Sequence, residues 1–405
     1  MTINKMSGTK PPIPLKDPLD FLNLRDLIPK DLQNSLSHLR NNLEHLLNPI
    51  INSLVEKAEF PIALINEFKK LNIVGLEKPE FGIRAVSNLE KSLILYELSR
   101  IDAGIATFYV VHVCLAMRSI ELLGSEEQKA KYLKPMADME KIGCFGLTEP
   151  THGSDASALT TSATPVNGGF LINGRKRWIG NASHSDYIIT FARDISDRKV
   201  KSFVVQSNAP GVSISVIKRK LSLRPIQNCD IVFENVFVPS SDRLEKGDGF
   251  IEGVNRVLSS SRMFVSWIAI GIMAGTYESA LKYASNRMQF KAPLSSYQIT
   301  QEKLVRILGY FNASFLQGWR IMTMGNCEVP QSALVKSQVT LAGREVTKLG
   351  RDILGGNGIL IDNYVMKALL DMEAIYTYEG TYDINVLASG REITGVAAIR
   401  PNYKL

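Results

Sequence analysis

The chain has 405 residues, of which 45% are hydrophobic and 21% charged, so it can bury one large core or several packed subdomains. Its net charge of +7 is modest and its lysines and arginines are dispersed, which argues against a nucleic-acid-binding groove. The four cysteines lie far apart, a spacing that predicts neither a disulfide framework nor a metal site. No uninterrupted apolar run reaches the ~18 residues that cross a bilayer, so no membrane span is predicted.

The two ends of the chain carry weak signals. Residues 1–30 are rich in proline and contain no arginine before Arg25, which predicts a loosely packed arm and not an arginine-rich transit helix. The last three residues, Tyr403-Lys404-Leu405, match a Ser-Lys-Leu peroxisomal address poorly, because tyrosine replaces the small first residue.

Residues 31–142 are predicted to form a helical domain. Apolar residues between Leu36 and Ile50 recur at three- and four-residue steps, as one face of a helix requires. Similar patterns cover 61–71, 87–100 and 104–122, and Ser125 followed by acidic residues is typical of a helix N-cap. His112 and Cys114 lie inside an apolar run, where core packing is the expected role.

Residues 143–245 change to short β-branched and aromatic runs, which predict a β domain. Asn173-Gly174 follows such a run and predicts a hairpin turn. Further strands are expected at 187–191, 202–205, 212–217 and 231–238. The short intervals between them favour a compact antiparallel sheet or small barrel over a parallel sheet.

Residues 246–405 are predicted to be helical again. One apolar stripe runs from Leu304 to Met322 and a second from Val335 to Ile353, which predicts two long amphipathic helices in an antiparallel bundle. The second stripe ends at the glycine-rich residues 354–358. These glycines are either a helix C-cap or a backbone surface that approaches a pyrophosphate.

A candidate general base lies at residues 375–383, where Glu379 is surrounded by Tyr376, Tyr378 and Tyr382 and followed by Gly380-Thr381. The glycine permits a tight turn, and partial burial among aromatic rings raises the pKa of a carboxyl group. Such a carboxylate suits removal of a proton from a weakly acidic C–H. The alternative interpretation is a helix N-terminal turn with a satisfied acid.

A candidate site for a flat heterocycle lies at residues 145–155 and 176–181. Trp178 can cover one face of a ring, and Thr148 with neighbouring N–H groups can hydrogen-bond its edge. A flavin is such a ring. The alternative interpretation is a buried tryptophan that packs a small β domain.

In combination, these stretches resemble the acyl-CoA dehydrogenase and acyl-CoA oxidase superfamily of flavoenzymes. Five signatures occur in the family's order: residues 145–155, 178–180, 287–298, 354–358 and 378–381. The resemblance covers residues 32–399. It implies an α+β fold with an N-terminal α-helical domain (31–142), a middle small β-barrel domain (143–245) and a C-terminal four-helix bundle (246–405).

The resemblance also implies a chemistry. Glu379 would remove the α-proton of an acyl-CoA thioester while FAD accepts the β-hydride, giving a trans-2-enoyl-CoA. The Glu379 N–H and a flavin hydroxyl would polarise the thioester carbonyl. The protein is expected to be a homo-oligomer, a dimer or tetramer, with residues 355–357 reaching FAD across a subunit interface.

The site residues implied by the resemblance fall into two groups. The cofactor contacts are Phe145, Leu147, Thr148, Gly153, Ser154, Trp178, Ile179, Gly180, Arg287, Phe290, Gln298, Leu354, Gly355, Gly356, Asn357 and Thr381. The substrate contacts are Ser154, Arg262 at the CoA end, and Gly380.

Three positions depart from the family pattern. Gly180 replaces a hydroxyl residue near flavin N5, and Lys291 replaces a glycine after Phe290. Ala106 aligns with the arginine that binds the second carboxylate in glutaryl-CoA dehydrogenases, which disfavours glutaryl-CoA as the substrate.

Within the superfamily the resemblance favours the peroxisomal short-chain acyl-CoA oxidases, on the segments 57–61, 178–181 and 375–385. It therefore predicts transfer of electrons to O2 and a peroxisomal location. One alternative is a mitochondrial-type dehydrogenase of the matrix that uses electron-transferring flavoprotein. The other is a catalytically idle structural or binding subunit, which the changes at Gly180 and Lys291 suggest.

Overall fold

The structure, a computed structural model, describes residues 17–325 and 327–398. The first part of it is helical, as predicted, and Ser125 caps its last helix in a reciprocal pair of hydrogen bonds with Gln128. The helices are α1 (Lys30–Leu47), α2 (Ile51–Lys57), α3 (Ala63–Leu71), α4 (Asn88–Ile101), α5 (Ala103–Tyr109), α6 (Arg118–Leu123) and α7 (Glu126–Ala137).

The segment before α1 packs against this domain from Asp17 onward. Leu19, Leu24 and Ile28 are buried, and Asp17 forms ion pairs with Arg25 and Arg40. Over these residues the chain is therefore packed and not a loose arm. The remainder of the predicted arm and the Tyr403-Lys404-Leu405 tripeptide lie outside the described residues.

A buried π-helical segment, Val110–Met117, joins α5 to α6. His112 lies in it, accepting a hydrogen bond at Nδ1 from the Gly143 N–H (3.0 Å) and donating from Nε2 to the Met136 carbonyl (3.1 Å). Burial lowers the pKa of His112 to about 4, so the ring is neutral. The core roles predicted for His112 and Cys114 are confirmed, since both are buried.

The middle domain is a seven-stranded mixed sheet. Its strands are β1 (Gly143–Gly146), β2 (Ser162–Val166), β3 (Gly169–Ile179), β4 (Tyr187–Asp194), β5 (Val200–Gln206), β6 (Val212–Val216) and β7 (Cys229–Pro239). β1 pairs in parallel with the start of β4, and β2 pairs in parallel with its end. β5 pairs antiparallel with β4. From β2 the sheet continues through β3, β7 and β6. The purely antiparallel arrangement predicted from the sequence is wrong for those two pairs. In the described chain β1, β5 and β6 each pair with a single strand, so the hydrogen-bonded ladders do not close into a ring.

The predicted hairpin at Asn173-Gly174 is wrong. β3 runs through this dipeptide with a register shift against β7, and Gly174 has φ 149°. A Cβ at Gly174 would lie 2.5 Å from Thr161 Oγ1, so close packing requires the glycine. The hairpin turn lies instead at Asn167-Gly168, between β2 and β3.

The last part of the chain is a helical bundle. It contains α8 (Arg256–Asn286), a small hairpin of β8 (Met288–Gln289) and β9 (Ala292–Pro293), α9 (Gln298–Thr323), α10 (Val329–Ile353), α11 (Tyr364–Thr377) and α12 (Tyr382–Thr394). α8, α9 and α10 pack pairwise, α11 packs on α8 and α10, and α12 packs on α10. The two predicted amphipathic helices are confirmed as α9 and α10.

Among the residues that the structure describes, two helical stretches are long and apolar enough to cross a membrane by length and composition alone, Ala103–Leu123 and Phe250–Asn286. In the structure, 94% and 78% of their most apolar windows are buried inside the protein. Core helices meet the same criterion. α8 packs on both α4 and α10 and so connects the first helical domain to the bundle.

Candidate active site

Glu379 lies in the short connection between α11 and α12. Thr381 caps α12, its hydroxyl accepting a hydrogen bond from the Ile384 N–H (3.3 Å). Glu379 and Gly380 adopt successive left-handed conformations, with φ of 55° and 85°. For a non-glycine residue this costs on the order of 1–3 kcal/mol, so the surrounding structure must hold the turn.

The Glu379 side chain is half-buried and faces polar groups of α8. Ser261 Oγ donates a 2.6 Å hydrogen bond to Glu379 Oε2. The next residue of α8, Arg262, is buried. Burial raises the pKa of Glu379, while the Ser261 hydrogen bond and the charges of Arg262 and Lys336 oppose that rise. The carboxylate is thus partly desolvated and oriented, as a general base requires.

Helix α5 contacts both the residue before the base and a residue just after β3. Tyr378, directly before the base, has its hydroxyl 3.3 Å from Thr107 Oγ1 on α5. Asn181, directly after Gly180, donates from Nδ2 to the Phe108 carbonyl at 3.0 Å. Adjacent residues of α5 therefore contact the two stretches that the sequence singles out for base catalysis and for flavin binding.

Trp178 is 51% exposed, so the alternative interpretation of a tryptophan buried in the β-domain core is wrong. The residue has φ 66°, and its carbonyl accepts a 3.1 Å hydrogen bond from Asn228 Nδ2. The Arg177 guanidinium carbon lies 5.0 Å from the indole ring. An aromatic face held by its backbone and open to solvent suits stacking on a planar ligand.

Residues of the first signature and Ile179 differ in how much of them a ligand can reach. Leu147 and Ile179 are buried, so only their backbones can contact a ligand. Thr148 is half-buried, and its carbonyl accepts a 2.8 Å hydrogen bond from the Arg177 N–H. Gly153 and Ser154 are exposed, and a Cβ at Gly153 would have no neighbour within 4 Å. The backbone of this loop is therefore accessible to a ligand.

A flavin nucleotide fits these groups. The exposed indole offers a stacking face and the loop at Gly153 offers accessible backbone. Arg262 Nε is buried and has no hydrogen-bond partner among the described residues, so a donor remains for an acceptor that the protein itself does not supply.

The predicted cofactor residues of the third and fourth signatures, 287–298 and 354–358, lie at the other end of the bundle. Arg287 follows the last residue of α8, 25 positions beyond Arg262, or about 37 Å along a helix. Phe290 is 91% exposed in the tight β8–β9 turn, and Gln298 is exposed at the start of α9. Asn357 Nδ2 donates to Tyr283 Oη at 2.8 Å, which places the turn after α10 near the same end. Within one chain the structure therefore places this group far from the base.

Within that turn, Leu354 is buried while Gly355 and Gly356 are exposed. Gly355 has φ 55°, and a Cβ at either glycine would meet nothing within 4 Å. The turn therefore presents open backbone.

Sequence reasoning missed three residues that hold the base. Ser261 contacts its carboxylate, Lys336 Nζ donates to the carbonyls of Tyr376 and Gly380, and Asn385 Nδ2 donates to the Gly380 carbonyl. Of the three, Lys336 has a signal in the sequence, because a lysine next to Val335 of the apolar stripe is expected to be buried and therefore to have polar partners. The charge of Arg262 acts on Glu379, so the structure places this predicted substrate residue near the base.

Family profiles match nearly the whole described chain in the expected order. The matches are the acyl-CoA dehydrogenase N-terminal domain at residues 30–140, the middle domain at 144–236 and the C-terminal domain at 247–394. The chain therefore belongs to the acyl-CoA dehydrogenase family, whose members are FAD-dependent oxidoreductases.

Individual proteins agree with this assignment. A 3-(aryl)acrylate reductase of Clostridium sporogenes is 33% identical over 361 residues, covering 86% of this chain and 95% of that protein. The human mitochondrial short-chain specific acyl-CoA dehydrogenase is 29% identical over 368 residues, covering 89% of each.

Two solved structures resemble the fold. A glutaryl-CoA dehydrogenase from Mycobacterium smegmatis in complex with FADH2 superimposes with a TM-score of 0.91 at 30% identity, covering 95% of this chain and 100% of that one. A structure described as an electron transferring flavoprotein of Acidaminococcus fermentans gives a TM-score of 0.87 at 27% identity, covering 90% and 98%. The three-part architecture predicted from the sequence is confirmed.

Proposed function

We propose that this protein oxidises a short-chain acyl-CoA to the trans-2-enoyl-CoA and passes the electrons to an electron-transferring flavoprotein. The observation that carries the proposal is the half-buried Glu379 carboxylate, held by Ser261 in a left-handed turn. A purely structural subunit has no need of an oriented, partly desolvated carboxylate, which argues against the catalytically idle alternative.

The protein groups have distinct roles in this proposal. Glu379 removes the α-proton, and the Glu379 N–H hydrogen-bonds the thioester carbonyl as negative charge develops on it. The charges of Arg262 and Lys336 favour the ionised form of the base, against the effect of burial. FAD, when bound, supplies the acceptor for the β-hydride. Trp178 and the backbone from Thr148 to Ser154 would hold the ring.

Preference for a short acyl chain is supported by the packing next to the base. Phe108, one residue beyond the Thr107 contact, is 1% exposed. Its ring lies 4.6 Å from that of Phe60 and 5.7 Å from that of His184, centroid to centroid. Aromatic packing of this kind leaves little depth for a long chain. The human relative named as short-chain specific agrees with this preference.

The comparisons favour a dehydrogenase over the oxidase that the sequence resemblance predicted. The human relative is named a dehydrogenase, and one structural neighbour is described as an electron transferring flavoprotein. For the same reason we favour the mitochondrial matrix over the peroxisome. Deleting Tyr403-Lys404-Leu405 from a fluorescent fusion should leave its location unchanged.

A homo-oligomer would complete the cofactor site. Because Arg287, Gln298 and residues 355–357 lie far from the base of their own chain, we propose that they contact FAD bound mainly to a second copy. Arg287 is exposed and free to approach a pyrophosphate from another subunit.

The function is tested with purified protein and three substrates, butyryl-, hexanoyl- and glutaryl-CoA, each assayed with electron-transferring flavoprotein and with O2. We expect butyryl-CoA to be used best, glutaryl-CoA poorly because Ala106 offers no cation, and O2 slowly. Rapid turnover with O2 accompanied by H2O2 would establish the oxidase instead. Protein that stays colourless after incubation with FAD would support the binding-module alternative.

A further inference from the structure

The backbone around Glu379 depends on one buried lysine. Lys336 lies on α10 and its side chain is completely buried. Its Nζ donates to the Tyr376 carbonyl at 2.9 Å and to the Gly380 carbonyl at 2.7 Å. These two carbonyls stand on either side of Glu379, so a single ammonium group joins the end of α11 to the turn that carries the base.

A second side chain holds the same turn from the other side. Asn385 of α12 donates from Nδ2 to the carbonyls of Gly380 (2.7 Å) and Thr381 (3.1 Å). The Gly380 carbonyl therefore accepts from both Lys336 and Asn385. Asparagine alone would satisfy this carbonyl, so hydrogen bonding of Gly380 does not explain why a charged side chain is buried here.

We propose that Lys336 is a positioning residue for Glu379: its two carbonyl contacts fix the left-handed turn, and its ammonium form places a positive charge that favours the ionised carboxylate. This inference rests on the proposed function, in which Glu379 is the base. Lys336 contacts backbone and not substrate, so it acts through the base. The role separates into two parts, donation to the carbonyls and charge, which different substitutions can distinguish.

The charges around the base support the electrostatic part. Glu379 faces Arg262 from α8 and Lys336 from α10, and both charges lower its pKa against the effect of burial. Cys114 of the π-helical segment and Tyr378 also sense its charge, but burial raises the pKa of both, to about 12 for Cys114, so they stay neutral. Burial lowers the pKa of Lys336 itself to about 7, while Glu379 opposes that shift.

The expected direction follows from these signs. Removing the Lys336 charge leaves Glu379 with less stabilisation of its ionised form, so its pKa rises. Proton removal by Glu379 requires the ionised form. The pH at which its activity is half-maximal should therefore move to higher pH in a neutral variant.

A suitable measurement follows proton removal alone. Acetyl-CoA has α-hydrogens but no β-carbon that can lose hydride, so exchange of its α-hydrogens in D2O, followed by mass spectrometry, reports the base without electron transfer. We expect Lys336→Met in the FAD-loaded protein to slow exchange by about 100-fold and to raise the half-maximal pH by about one unit. Lys336→Arg should restore the pH midpoint, and neutral Lys336→Gln should not.

A matched control is Lys201→Met. Lys201 is also buried and paired, with Asp194 and Asp197 in the β domain. We expect it to lower the melting temperature without moving the pH midpoint. Should Lys336→Met fail to fold, Lys336→Gln, which keeps a donor, provides the same pH comparison.

The outcomes separate the two hypotheses. Unchanged exchange and an unchanged midpoint in Lys336→Met and Lys336→Gln would overturn the role of Lys336 alone. Absence of exchange in the wild-type protein would overturn Glu379 as the base, and with it this inference.

Discussion

Ser261 Oγ and Glu379 Oε2 are 2.6 Å apart, although 118 residues separate them in the sequence. This hydrogen bond ties the first turns of α8 to the connection between α11 and α12. It fixes the direction of the carboxylate while the turn fixes its position, so the base is oriented through both its side chain and its backbone.

We expect Ser261→Ala to weaken the base. A donor to a carboxylate favours the ionised form, so its loss raises the pKa of Glu379, by about one unit if the bond contributes about 1.4 kcal/mol. The limb of the pH–rate profile for kcat/KM that rises with pH should then move to higher pH, with about a tenfold loss of kcat/KM below the wild-type midpoint and little loss above the variant midpoint. Ser260→Ala is the control, because Ser260 Oγ donates to the Val257 carbonyl and not to Glu379. An unshifted profile in Ser261→Ala would show that the hydrogen bond does not tune the base.

Crowding explains why glycine occupies position 180, in addition to any effect on flavin chemistry. A Cβ there would lie 3.0 Å from Ile226 Cδ1 and 3.4 Å from Val111 Cγ2. We expect Gly180→Ser to lower the free energy of unfolding by about 1–2 kcal/mol, measured by urea denaturation of the FAD-loaded protein. Adding Ile226→Val removes the closest atom and should recover most of the loss. If the double variant is no more stable than Gly180→Ser, crowding by Ile226 is not the cause.

Arg287→Ala should weaken FAD retention, which the ratio of flavin to protein absorbance measures after gel filtration. Because we propose that Arg287 serves another subunit, coexpression of Arg287→Ala with Glu379→Gln should restore about a quarter of the sites in randomly mixed dimers. Each such site takes Glu379 from one chain and Arg287 from the other. Mixed oligomers no more active than the two single variants would contradict a shared site.

The sequence predicted the helices and the order of the domains because those features depend on periodicity, which is local. The stripe of α10 and the N-cap at Ser125 are examples. The hairpin was misplaced because Asn-Gly occurs twice within eight residues, and only the pairing of β3 with β7 shows that the second one lies at a register shift inside a strand. The parallel pairs of β1 and β2 with β4 likewise depend on the packing of the whole domain.

The base itself was predicted from the sequence, but the groups that hold it were not. Ser261 and Lys336 come from helices that lie 118 and 44 residues from their partners in the turn, and neither belongs to a short motif. The sequence also did not predict the distance between Arg262 and Arg287, which depends on α8 being one continuous helix. Contacts between distant elements decide these features, and a single sequence does not record them.

The most direct measurement of the central claim is anaerobic mixing of the FAD-loaded protein with butyryl-CoA while the visible flavin absorbance is followed. We expect the wild-type flavin to be reduced rapidly. Glu379→Gln should retain FAD, but its flavin should be reduced at least about 1,000-fold more slowly, because the α-proton then has no acceptor. Reduction at the wild-type rate in Glu379→Gln would contradict the assignment of Glu379 as the catalytic base.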